Sequence, residues 1–304
     1  MSVLVVDKPV GPTSFAVLRE VRRALMRATG GAGRPPKLGH GGTLDPMASG
    51  VLPVCVGAST KIIQFLLDAD KEYLAVVRFG VETDTLDATG QVLRETPIGD
   101  LDAIRLQAAL AGFRGEIEQV PPMFSALKHH GKPLYRYARA GQTVERAPRR
   151  VKVHELELLA WESPDRARLR IRCSKGTYIR SLAADLGRQL GVGAHLTELR
   201  RTASGPFALA QAMSLDQIAA CVNEGRNLPF VSLRDSLAHL PAVTVDDALA
   251  VRLARGQRMG WEEIAPATGE RGPLCVLLAP DVVIAVVDRT AEGAVRILRV
   301  FNAG

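Results

Sequence analysis

One carboxylate in the chain stands where chemistry could use it. Asp45 lies within Leu38-Gly39-His40-Gly41-Gly42-Thr43-Leu44-Asp45-Pro46-Met47-Ala48-Ser49-Gly50. Pro46 biases Asp45 toward extended backbone, and the glycines permit tight turns and a close approach to a ligand. Such a loop can hold a carboxylate between ordered elements for a reaction. It can equally be a turn whose aspartate bonds its own backbone. No second carboxylate or histidine accompanies Asp45 at triad spacing, so spacing alone selects no reaction.

The second chemical signal is cationic. The chain holds 39 Lys and Arg against 32 Asp and Glu, a net +7. Residues 114–201 carry 18 of those cations and only 9 of the acids, so the rest of the chain is net −2. An excess gathered in one segment fits a polyanion bound at one place, or a solvated basic face. Within it, residues 121–150 form a long irregular stretch. There Lys128, Lys132, Arg136, Arg139, Arg146, Arg149 and Arg150 surround Tyr135 and Tyr137. Cations neutralise phosphates and aromatic rings stack on bases. The four cysteines (Cys55, Cys173, Cys221, Cys275) and six histidines show no metal-ligand spacing, and no phosphate-loop or dinucleotide fingerprint occurs. Buried free thiols are expected, with no metal and no cofactor.

The elements that must position these residues follow from periodicity. Val3 to Val6 reads as a strand, closed by the turn cluster Asp7-Lys8-Pro9-Val10-Gly11-Pro12. Thr13 or Ser14 can cap the next helix, whose Leu18, Val21 and Leu25 face a core while Arg19, Arg23 and Arg27 lie four apart on another face. Residues 29–36 read as a flexible loop and 39–50 as irregular. Val51 to Val56 and Tyr73 to Phe79 read as strands; Ile62, Ile63, Leu66 and Leu67 mark a helix face, and 101–112 a further helix. Arg166, Arg168, Arg170 and Arg172 alternate with Ala167, Leu169, Ile171 and Cys173, which puts four guanidinium groups on one sheet face. A helix over 178–190 follows, with Thr177 as its cap and Gly191 past its end. From Pro241 the pattern becomes a short helix (246–253), a Gly/Arg-rich turn and β runs at 275–278, 282–287 and 294–300.

Composition narrows the class. Apolar residues make up 47% and charged residues 23%, ordinary values for a folded protein. No apolar run approaches the ~18–20 residues of a bilayer helix, and the N-terminus has an acid, Asp7, where a signal peptide would be apolar. A cytoplasmic enzyme or binding protein is expected, with no membrane association.

Five runs in order carry a resemblance. GHGGTLDPMASGVLPV resembles the catalytic-aspartate motif of the TruB family of RNA pseudouridine synthases, and VVDKPVGPTS its N-terminal motif. KEYLAVVRFGVETDTLDATG resembles its tyrosine motif and PPMFSALKHHGKPLYRYARAG its RNA-contacting insertion. CSKGTYIRSLAADLGRQLGVGAHLTELRR resembles the segment with its arginine. Gly41 stands where the family often has Thr or Ala, and Phe124 where it often has Tyr.

The resemblance implies an α+β pseudouridine synthase fold. Its mixed, mainly antiparallel sheet is flanked by helices over residues 1–240 and followed by a small β-rich PUA-like domain over 241–304. It implies a cofactor-free, aspartate-dependent isomerisation of a flipped-out uridine, uridine 55 of the tRNA T-loop, to pseudouridine. By carry-over Asp45 is the catalytic carboxylate, Tyr73 stacks on the base, and Arg180 pairs with Asp45. Tyr178 and Leu199 line the base pocket, His40 holds the RNA loop after flipping, and Lys175 contacts phosphate. The basic residues of 121–150 grip the T-stem and loop of tRNA. A monomer with no protein partner is expected. Two rival readings stand beside it: a tRNA-binding or folding factor, and a synthase acting on another T-loop-like RNA.

Overall fold

The computed structural model describes residues 2–30, 33–162, 164–255, 257, 259–264, 274–279 and 282–301. The chain begins β1 (Ser2–Lys8), α1 (Ser14–Ala28), β2 (Leu38–His40), β3 (Ala48–Val56), α2 (Ile63–Asp68) and β4 (Lys71–Phe79). It continues β5 (Val81–Thr83), β6 (Val92–Glu95), α3 (Ala103–Leu110), β7 (Gly115–Gln119), β8 (Lys128–His129), β9 (Lys132–Pro133) and α4 (Leu134–Arg139). Then come β10 (Arg149–Glu162), β11 (Arg166–Cys173), α5 (Ile179–Gln189), β12 (Ala194–Ser204), β13 (Phe207–Ala208), α6 (Leu215–Asn223), β14 (Val231–Ser232) and α7 (Leu233–Ser236). The last part holds β15 (Ala242–Thr244), α8 (Asp247–Ala254), β16 (Leu274–Ala279), β17 (Val282–Arg289) and β18 (Val295–Val300).

The main sheet runs β14-β1-β3-β12-β4-β11-β10-β7, with β2 and β13 as side strands. All its pairings are antiparallel except β3 with β12, so the expected mixed, mainly antiparallel sheet is present. Two helical blocks cover it. The inward residues of β4, β11 and β12 pack on Leu106 and Leu110 of α3 and on Ile179, Leu182 and Leu186 of α5. Leu4, Val6, Leu52 and Val54 of β1 and β3 pack on Val17, Leu18 and Val21 of α1 and on Ile218 of α6. Other residues of β1 and β3, among them Val3, Val5 and Val51, meet Val276, Leu278, Val283 and Val286 of a second sheet, β15-β16-β17-β18.

Several local expectations change. The loop around Asp45 is shorter than 39–50, because 38–40 and 48–50 pair in strands β2 and β3. Ile62 ends a 3-10 turn over Gly57–Ile62, before the α-helix begins at Ile63. The 121–150 stretch holds the hairpin β8–β9 and helix α4. Its end, Arg149 and Arg150, is already strand, held by non-local pairing with Gln119 and Glu118. The arginine face of β11 is not bare: Arg168 meets Glu162, Arg170 meets Glu157, and Arg172 meets Glu155. Thr177 does not cap α5; its hydroxyl donates to Ser174 O, 3.0 Å. Residues 31–32 of the predicted loop, and 256 and 258 of the Gly/Arg-rich turn, lie outside the described residues.

Candidate active site

The backbone of the Asp45 loop is held through its neighbours. Ser14, the first residue of α1, bonds both backbone groups of Leu44: its Oγ donates to Leu44 O, 3.0 Å, and accepts from Leu44 N, 2.9 Å. Gly11 N donates to Pro46 O and Ala48 N to Asp45 O. Beneath the loop the Lys8 ammonium, fully buried, donates to Ala48 O (2.6 Å), Pro9 O (2.9 Å) and Pro46 O (3.3 Å). Burial pushes the Lys8 amine down to about 8, against the pull of Asp45 in the other direction.

The loop is also locked to the sheet by Arg201, 1% exposed. Its Nε donates to Val51 O at 2.7 Å and its Nη2 to Gly42 O at 3.0 Å. Register explains the placement, since Arg201 lies opposite Gly50 on β3 and opposite Tyr73 on β4. Only glycine fits at position 50, where φ is +103° and a Cβ would collide with the Arg201 backbone. Burial, the larger effect, pushes the Tyr73 phenol's pKa up, against the pull of the Arg201 guanidinium in the other direction. Tyr73 therefore stays a neutral phenol, able to stack or to donate.

Arg180 reaches the loop from the first turn of α5. Its Nη2 lies 2.8 Å from Asp45 Oδ2, with Arg180 4% and Asp45 35% exposed at the side chain. Nη2 also donates to Phe124 O at 2.8 Å and Nη1 to Thr85 O at 3.0 Å. Nη1 faces a second carboxylate, buried Asp87, at 3.7 Å. With Nη1 turned that way and Nε without an acceptor, the guanidinium meets Asp45 with one nitrogen rather than as a two-pronged fork. Asp87 is fixed in turn: Oδ1 accepts from the Thr85 and Thr89 hydroxyls and from Thr89 N. The start of α5 is set by Gln119 of β7, which accepts from Tyr178 N and donates to Tyr178 O. These two bonds fix the backbone of the N-cap residue, and no side chain caps the first turn of α5.

These groups face one cleft of about 520 Å³, lined by Asp45, Lys71, Tyr73, Tyr178, Arg180, Leu199 and Arg201, with Ser125 to Leu127 of the insertion over it. The volume is within the roughly 300–1,000 Å³ of small-ligand sites. One carboxylate among three cations gives the cleft a positive balance. Lys71 donates to Leu67 O and Ala69 O, and burial pushes its amine down to about 8. Burial also pushes the Tyr178 phenol up.

The structure thus brings together Asp45, Tyr73, Arg180, Tyr178 and Leu199. His40 and Lys175, expected to hold the RNA loop and to contact phosphate, lie outside the cleft lining. Lys175 is exposed and ion-paired with Asp68 at 2.8 Å. His40 is half-buried outside the cleft lining, with its pKa lowered by burial and by Arg201. Of the basic residues, Lys128, Arg136, Arg149 and Arg150 present charge at the surface, and Arg139 lies over the Tyr135 ring, 5.5 Å from its centroid. Lys132 is also exposed, whereas Arg146 is folded back onto Val144 O and Pro121 O. Sequence reasoning missed Lys8, Asp87, Gln119 and Arg201. Three of them lie inside the five motif runs, which were the available signal; Gln119 lies just before one.

Comparison with known proteins agrees with this geometry. The N-terminal domain of the TruB family pseudouridylate synthases matches residues 28–179, and the tRNA pseudouridylate synthase B C-terminal domain matches 180–238. The tRNA pseudouridine synthase B of Burkholderia mallei (strain NCTC 10247) is 47% identical over 293 residues, 96% of this chain and 93% of the relative. That of Aromatoleum aromaticum is 51% identical over 255 residues, 84% of this chain and 80% of the relative. Among solved structures, a chain of a Cbf5-Nop10-Gar1 complex is 29% identical with a TM-score of 0.75, covering 99% of this chain and 85% of that one. A chain of an H/ACA RNP bound to a substrate RNA containing 2'-deoxyuridine is 28% identical with a TM-score of 0.72, again covering 99% and 85%. The match extends through every element that builds the cleft, and the chain belongs to the TruB family of pseudouridylate synthases.

Proposed function

We propose that the protein converts uridine 55 in the T-loop of tRNA to pseudouridine, with Asp45 as the reacting carboxylate. The observation that carries this reading is the Asp45–Arg180 pair on the wall of a cleft that also presents Tyr73 and Tyr178. The relatives' names supply tRNA as the substrate class. A base reaches such a cleft only by leaving its stack, and an aromatic wall replaces the lost stacking.

The reaction is an isomerisation. The C1′–N1 bond breaks, the uracil turns, and C1′–C5 forms; C5 gives up a proton and N1 gains one, with no net change in electrons. Charge develops at C1′ as the base leaves, and Asp45 answers it as nucleophile or as charge stabiliser. Arg180 fixes where that carboxylate points. Tyr73, paired in register with Arg201 across β4 and β12, presents a neutral ring and hydroxyl to the base, and Leu199 closes the apolar wall. Residues 1–240 carry this chemistry. The insertion holds the stem and loop through Lys128, Lys132, Arg136, Arg139, Arg149 and Arg150.

Mapping pseudouridine in a tRNA transcript incubated with wild-type protein and with Asp45→Asn tests the reading. Pseudouridine at position 55 with the wild type, and none with the variant, is the expected result. Modification at another site only, or equal modification by the variant, would overturn it.

A further inference from the structure

The cleft and the insertion leave one strongly charged surface unused. A groove of about 390 Å³ runs along α1, lined by Arg19, Arg22, Arg23, Met26, Arg27 and Pro35. Arg34 and Lys37, both exposed, follow on the next segment. The opposite face of α1 is fixed in the core through Val17, Val21 and Ala24, so the arginines cannot turn inward. Arg23 pairs with Glu20 at 2.7 Å. Arg19, Arg22 and Arg27 have no carboxylate partner among the described residues. Like charges four residues apart on a helix destabilise it, and a bound polyanion removes that penalty. An aromatic ring stands at the head of the row: Phe15 is 64% exposed, with Arg19 5.9 Å from its centroid.

Place in the fold gives the groove its meaning. α1 starts at Ser14, which is bonded to the Asp45 loop, and packs over β1 and β3. The insertion leaves the sheet between β7 and β10, at the other end of the strand order. Asp45, on the loop that leads into β3, and Tyr73 and Leu199, on β4 and β12, lie between. In the strand order, α1 and the insertion therefore stand on opposite sides of the cleft residues.

We propose that the α1 groove is a second phosphate-backbone site, which holds a part of the tRNA outside the T-stem and loop, with Phe15 as a stacking surface at its head. This rests on the tRNA reading above. Single, regularly spaced arginines neutralise successive phosphates without reading sequence, and an exposed ring beside a cation suits an unpaired base.

The test compares two RNAs with one triple variant, Arg19→Gln/Arg23→Gln/Arg27→Gln. Dissociation constants are measured against salt for whole tRNA and for an isolated T-stem-loop. Each lost phosphate contact lowers the log K–log[salt] slope by roughly 0.7–0.9. The slope for whole tRNA should fall by about two to three units, while binding and turnover of the stem-loop stay unchanged. The corresponding Arg→Lys triple variant should keep the wild-type slope. Unchanged binding of both RNAs overturns the proposal, and so does an equal loss on both, which would place the groove on the T arm. Binding to anionic vesicles that depends on these arginines, with tRNA affinity intact, would assign the groove to a lipid surface instead. Should the triple variant lose its circular dichroism signal, Arg27→Gln alone carries the test, with about one unit expected. Wild-type turnover on the stem-loop reports separately on the tRNA reading, so failure of one is distinguishable from failure of the other.

Discussion

Arg180→Lys separates orientation from charge. The guanidinium spans two carboxylates: Nη2 meets Asp45 Oδ2 at 2.8 Å and Nη1 faces Asp87 Oδ2 at 3.7 Å, while carbonyls of Phe124 and Thr85 complete the set. An ammonium is a single point charge. It can approach Asp45 or the Thr85–Asp87 side, and it cannot fix the direction of one against the other. A preorganised electrostatic contact to a reacting group is worth roughly 10²–10³ in rate, so single-turnover pseudouridine formation should fall by about that factor. Affinity for tRNA should hold, because Arg180 is buried and offers no phosphate contact.

Arg180→Met tests the same network through stability. It leaves Asp87 without a cation in the interior, and breaking a buried pair costs about 3–5 kcal/mol. The three hydrogen bonds to Asp87 Oδ1 put the expected value nearer the lower end. Asp87→Asn in that background should recover part of the loss, while turnover stays low. Rapid-quench rates, filter-binding constants and urea titrations measured on the same preparations decide. Wild-type single-turnover rates with weakened binding would refute the reasoning, because Arg180 would then be a phosphate contact rather than the partner of Asp45.

Asp45→Asn keeps the side-chain shape and removes its charge, so turnover should vanish with tRNA binding retained; appreciable turnover would show that another group carries the chemistry. Neutralising Arg149 and Arg150 should lower the salt slope of tRNA binding by roughly 0.7–0.9 each. Arg146→Gln should act mainly on the stability of the insertion, since its guanidinium is committed to Val144 O and Pro121 O; salt titrations and thermal melts of each variant check the division. Lys8 titrates at about 8 in the folded protein against 10.5 for a free lysine. Between those values the unfolded chain binds more protons, so folding stability rises with pH relative to a Lys8→Met variant. The difference between the two proteins in urea should change by a few kcal/mol from pH 7 to 10.5, in favour of the wild type; a difference flat with pH would mean that the ammonium is not desolvated.

Legibility in the sequence follows the range of the interactions involved. The Asp45 loop is legible because its demands are local: glycines where backbone turns or approaches closely, a proline that fixes the entry to the strand. The helix over 14–28 and the strand over 71–79 are legible from periodicity, since each buries one face. Arg201 is not legible in this way. It sits beside Arg200 in an alternating strand, and its charge suggests surface, yet it points inward to carbonyls of Gly42 and Val51. Those acceptors lie about 150 residues away in sequence. Asp87 reads as a turn aspartate, and its threonine bonds are turn bonds; its facing Arg180 is a tertiary fact. Thr177 does not cap α5 because its hydroxyl is turned back to Ser174 O, and the backbone of Tyr178 at the helix start is fixed instead by Gln119 of the distant strand β7.

The arginines of β11 show the same limit from the other direction. Their spacing correctly puts them on one sheet face, and charge counting makes that face a candidate for RNA. The register of β10 sets Glu155, Glu157 and Glu162 across from them, so most of that charge is met within the sheet. The groove on α1 differs because a helix surface has no such partner strand. Within α1 a cation finds an acid three or four positions away in Glu20 alone, and Arg19, Arg22 and Arg27 meet no carboxylate from elsewhere among the described residues. An arginine row on a strand therefore says little until its neighbour is known. The α1 row has only Glu20 against it, which is why it is the more informative of the two for a polyanionic partner.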